Sequence, residues 1–64
     1  MKQIDYYIES NKKLLEETIK KFQETDAEEQ EELRRLDKRI EIYRYYIKGL
    51  EDAKKYIEEE KNNE

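Results

Sequence analysis

Few residues in this chain could do chemistry. Histidine and cysteine are absent, serine occurs once at Ser10, and the single glycine, Gly49, makes no phosphate-cradling loop. There is thus no Ser–His or Cys–His nucleophile, and no imidazole or thiolate to hold a transition metal. The acidic pairs and runs, Glu16/Glu17 and Glu58/Glu59/Glu60, are what a solvated helix face carries, and no spacing places two carboxylates in a shared pocket. No enzymatic activity, metal or cofactor is expected.

Two other groupings could support binding. Arg34, Arg35, Lys38, Arg39, Arg44 and Lys48 put six bases against Asp37 and Glu41, and Arg34, Lys38 and Tyr45 share one side of a helix that could meet phosphates. The flanks of this segment are acidic, however, and the whole chain carries a net charge of −4. Pairing with acids along and between helices accounts for the bases, and nucleic acid is not the expected partner. The second grouping is aromatic. Of the six tyrosines, Tyr7 and Tyr43 fall on core faces, whereas Tyr45, Tyr46 and Tyr56 do not. Tyrosine suits interfaces because it buries a large ring while its hydroxyl stays wet. Gly49 and Ala53, four residues apart on the same stripe, would let another backbone come close.

The elements that must position these residues are helices. Proline is absent, half the residues are charged, and the apolar ones recur at helical spacing. Ile4, Tyr7, Ile8, Leu14, Leu15, Ile19 and Phe22 fall within an arc of roughly 140°, with Asn11 and Thr18 inside it. A polar pocket there is the less favoured reading; a polar residue that fixes register is the simpler one. From Gln23 to Glu32 no large apolar residue occurs, and Thr25-x-x-Glu28 reads as a capping box. These signals predict helix one over about 3–23, a turn at about 24–26 and helix two over about 27–61.

Helix two carries two apolar seams. One runs Leu33, Leu36, Ile40, Tyr43, Ile47, Leu50 and Ile57; the other runs Ile42, Tyr46, Gly49, Ala53 and Tyr56 on roughly the opposite side. Antiparallel pairing sets Phe22 beside Leu33, Ile19 beside Leu36, Leu15 beside Ile40 and Ile8 beside Ile47, each pair of numbers adding to 55. Helix two then overhangs helix one by about 12 residues, roughly 18 Å, and Ile57 lies beyond helix one's reach. A continuous rod with a stutter near Thr25 and Glu29 is the main alternative, and a break at Gly49 a lesser one.

A chain of 64 residues is one small domain, and a single core of that size rarely supplies more than about 3–5 kcal/mol. Disulfides being excluded, oligomerisation is the available supplement. The expected fold is all-α: an antiparallel helical hairpin of coiled-coil type that dimerises into a four-helix bundle. Ile42, Tyr45, Tyr46, Gly49, Ala53, Tyr56 and Ile57 form the candidate interface. The expected partners are a second copy and a protein target, in a non-enzymatic regulatory or adaptor role. Its size and charge suit a small inhibitor from a mobile element. No apolar run approaches a membrane span, and Met1-Lys2-Gln3-Ile4-Asp5 meets an acid before a signal peptide could form, so the cytoplasm is the expected compartment.

Two resemblances bear on function. Leu36-Asp37-Lys38-x-Ile40-x-x-Tyr43, after a helix beginning Ile8-Glu9 and a turn at Asp26, resembles the small sporulation aspartyl-phosphate phosphatases, over residues 8–46. Those are helical hairpins acting on a response regulator, with a Ser-Gln-Glu-Leu-Asp signature on helix two. The resemblance implies Asp37 as the functional carboxylate, but Leu33, Arg34 and Arg35 stand where that signature has Ser, Gln and Glu. The turn Asp26-Ala27-Glu28-Glu29-Gln30 is also similar to that of the Rop-type plasmid RNA-binding hairpins, which dimerise into four-helix bundles. That resemblance implies the architecture; the RNA-contacting pattern of helix one does not map onto Asn11 and its neighbours.

Overall fold

The computed structural model describes residues 2–62, which form two helices, α1 (Lys2–Glu24) and α2 (Gln30–Asn62), packed antiparallel. The extents of 56 × 15 × 12 Å fit a hairpin, since one rod of the same chain would reach about 90 Å. Gly49 lies inside α2, so there is no break there.

The core follows the first seam. Ile8 and Thr18 of α1 and Leu36, Ile40 and Ile47 of α2 are buried, and Ile4, Leu15, Ile19, Phe22, Leu33, Tyr43 and Leu50 are half-buried around them. Tyr7 and Leu14 depart from the core expected for them: both are exposed. Two helices touch along a narrow line, so one neighbour cannot cover an apolar arc of roughly 140°. The edge of the arc is left in solvent.

The turn is built differently from the capping box. Thr25 Oγ1 donates back to the Lys21 carbonyl at 2.6 Å, and its N–H reaches the Phe22 carbonyl at 3.3 Å. Thr25 therefore finishes α1 rather than starting α2. The Glu29 N–H closes a tight turn on the Asp26 carbonyl, and the Glu29 carbonyl accepts the first bond of α2 from Leu33, both at 3.0 Å. Helix two consequently begins at Gln30, three residues later than the expected 27. Glu31 and Glu32 in its first turn favour the positive end of the helix dipole. No residue of the turn has positive φ, which is why it needs no glycine.

The far end is also drawn in. Lys54 Nζ meets Asp5 Oδ1 at 2.5 Å and Lys12 Nζ meets Glu51 Oε2 at 4.0 Å, pairs whose numbers add to 59 and 63 rather than 55. Lys55 and Glu58 share a shallow groove with Asp5 and Ile8. Helical side chains lean toward their own N-termini, so in an antiparallel pair these side chains lean toward each other and bridge the offset, tying helix one to the start of the overhang.

Candidate interaction face

The polar residues in the core face of α1 serve their own helix. Asn11 Nδ2 donates to the Tyr7 carbonyl at 2.8 Å and Thr18 Oγ1 to the Leu14 carbonyl at 2.7 Å. With Thr25 these form a series seven residues apart, each turned back to the carbonyl four residues earlier. Bonded this way, a threonine offers its methyl to the neighbouring helix and leaves no donor wanting. Thr18 is buried at no hydrogen-bonding loss.

The second seam of α2 is open. Ile42 is 46% exposed, Tyr46 57% and Tyr56 63%, while Leu36 on the same helix is 4% exposed. Gly49 and Ala53 are exposed between them, and a Cβ placed on Gly49 would meet nothing within 4 Å. At 100° per residue, Ile42, Tyr46, Gly49, Ala53 and Tyr56 occupy a strip roughly 80° wide. Tyr45 borders it on the outer side and, at 81%, is more exposed than Ile42, Tyr46 or Tyr56. Ile57 borders it toward the core seam, which accounts for its being less exposed than Ile42, Tyr46 or Tyr56. The strip is centred about 130° from the buried seam, on the flank of α2 rather than opposite.

The two flanks of the hairpin differ in character. One carries Asp5, Lys12, Glu51, Lys54, Lys55 and Glu58 around the two interhelical ion pairs. The Asp5 carboxylate, by hydrogen bond first and by charge second, holds the Lys54 ammonium above the usual lysine range. Tyr7 and Leu14 lie about 140–160° around α1 from Lys12, so they fall on the other flank, beside the open strip of α2. Tyr7 also meets Tyr6 edge-to-face, with ring centroids 5.8 Å apart and planes at 71°. These α1 residues belong to the face and were placed in the core by their spacing. Their position at the margin of the arc is the sequence signal that could have found them.

At the C-terminal end of the strip, the Tyr56 hydroxyl donates to Glu60 Oε1 at 3.2 Å. At the N-terminal end, Arg35 pairs with Glu32 at 3.1 Å. Lys38 and Arg39 are exposed, and neither forms an ion pair among the described residues. Arg34, Arg35, Asp37, Lys38 and Glu41 surround one shallow depression, with Asp37 itself exposed. Arg34 and Lys38 thus stand among carboxylates rather than in a wholly basic patch.

Among the described residues no group of three His, Cys, Asp or Glu side chains converges in a way that could hold a metal ion. No described helix is long and apolar enough to cross a membrane. Compared with known proteins, the chain matches no family model, no curated protein and no solved structure.

Proposed function

We propose that this chain is a small, non-enzymatic interaction module, a cytoplasmic regulator or adaptor that works through the flank formed by Ile42, Tyr45, Tyr46, Gly49, Ala53, Tyr56 and Ile57. The observation that carries this reading is the contrast within α2: Leu36, Ile40 and Ile47 are buried on one seam, whereas Ile42, Tyr46 and Tyr56 on the other are 46–63% exposed. An apolar strip kept in helical register yet left in water stabilises nothing by itself, and contiguous exposed apolar surface marks association sites. The large rings of Tyr46 and Tyr56, which keep their hydroxyls wet, suit such a surface.

Replacing Tyr46 with glutamate tests the reading. The variant should lose association, whether with itself or with a captured target protein, while its helical circular dichroism stays unchanged. Survival of both kinds of association would retire the proposal. Hydrolysis of a response regulator's aspartyl phosphate that disappears in Asp37→Ala would replace it with the phosphatase reading.

A further inference from the structure

The surface area of the chain says how much more it exposes than a compact fold of its mass. The hairpin exposes 5844 Å², whereas a compact monomer of 8.0 kDa exposes about 4,500 Å². The excess, roughly 1,300 Å², belongs to the whole elongated outline and leaves room for the ~800 Å² that each member of a standard stable pair buries.

Charge along the strip says what kind of cover fits. From the start of α2 the strip and its borders run from Glu31 and Glu32, the latter paired with Arg35, to Lys38 and Arg39, then through apolar Ile42, Tyr46, Gly49, Ala53 and Tyr56 to Glu60, with Glu59 further round the helix. Within residues 36–62, the span that can face an antiparallel copy centred on Gly49, its charges are basic before the apolar middle and acidic after it. Laid against an antiparallel copy of itself with Gly49 at the centre, Ile42 faces Tyr56, Tyr46 faces Asp52 and Ala53, and Lys38 and Arg39 face Glu59 and Glu60. A parallel copy would set bases against bases and acids against acids. Like charges in contact are unfavourable, so the sequence polarity selects the antiparallel arrangement. The open space over Gly49 then lies where the two α2 helices cross.

From these observations we infer that the occupant of the open flank is a second copy of this chain, its α2 antiparallel to the first and crossing at Gly49, with Tyr7 and Leu14 of α1 at the edge of the joint. This rests on the reading of the flank as an association surface and adds to it the partner and the direction.

The chain has no cysteine, so introduced thiols report cleanly. Ile42→Cys and Tyr56→Cys are made separately, at exposed positions whose replacement leaves the core untouched, and circular dichroism verifies helicity. In the inferred dimer two copies of position 42 lie about 20 Å apart, far beyond the ~7 Å Cα limit for a disulfide. Each variant alone should stay reduced under mild oxidation, and an equal mixture should give the 42–56 crosslinked dimer. In parallel, Arg39→Glu and Glu60→Arg should each raise the dimer dissociation constant on the order of tenfold, and the double variant should restore it. Self-crosslinking by either single variant, with assembly intact, would overturn the direction while leaving the association reading in place. A wild-type mass that stays monomeric at every concentration would overturn the second copy as occupant. The flank would then be judged by target capture with and without Tyr46→Glu.

Discussion

The two seams of α2 are built to the same rule and have opposite fates. Leu36, Ile40 and Ile47 lie on a seam that steps three or four residues at a time and are sealed by α1; Ile42, Tyr46 and Tyr56 lie on a seam of the same steps on the flank and stay open. Their side chains differ accordingly. The buried positions of the sealed seam are aliphatic, with branched chains that fill a dry joint, while the open one mixes tyrosine with Gly49 and Ala53, residues that tolerate water until something arrives. The same pattern thus serves folding on one side of the helix and association on the other. Periodicity reports that a face is meant to be covered, and composition reports when.

Three substitutions would sharpen that contrast. The largest effect is expected on the sealed seam. Leu36→Ala removes a buried side chain at a cost of about 2–5 kcal/mol, comparable to all that so small a core supplies. Thermal circular dichroism should show the helical signal collapsing, whereas Tyr46→Glu on the open seam should leave it standing. A Leu36→Ala chain as stable as wild type would mean that the two seams do not divide the work in this way.

Thr18→Val is expected to be nearly silent, within about 1 kcal/mol of wild type and as easily stabilising as not, because the hydroxyl bonds only to its own helix. A large loss in the urea midpoint would show that the hydroxyl does more than satisfy itself.

The smallest effect belongs to the polar flank. Lys54→Met should lower the melting midpoint slightly at neutral pH, since partly exposed ion pairs contribute little. Because Asp5 raises the Lys54 pKa in the fold, this contribution is complete below the ordinary lysine value of about 10.4. It is lost as pH climbs through the higher folded value. The gap between wild type and Lys54→Met should therefore close in strong alkali; a gap that persists there would assign the effect to packing of the lysine stem instead.

Much of this was legible in the residues. The hairpin, the aliphatic seam and the open seam all follow from apolar spacing, which survives any detail of the turn. The start of α2 did not, because a threonine hydroxyl can accept from the helix ahead or donate to the one behind, and the same Thr25-x-x-Glu28 serves both. The exposure of Tyr7 and Leu14 was hidden for a different reason. Spacing gives the width of an apolar arc but not the width that a single neighbour can cover. The ion pairs at the far end escaped because apolar spacing says nothing of charged side chains, and Asp5 with Lys54 and Lys12 with Glu51 close that end where apolar pairing has run out.

The long, thin outline of the hairpin, 56 Å by 15 by 12, makes its joining geometry visible to hydrodynamics. Gly49 lies only about 4–5 Å from the midpoint of α2, so an antiparallel pair crossing there would be about 65 Å long, hardly longer than one chain. Mass would double while length stayed almost fixed. Axial ratio, and with it the frictional ratio, would fall on association, the reverse of what end-to-end growth produces. Small-angle scattering would see the same event as a cross-section that thickens beneath a nearly constant maximum dimension.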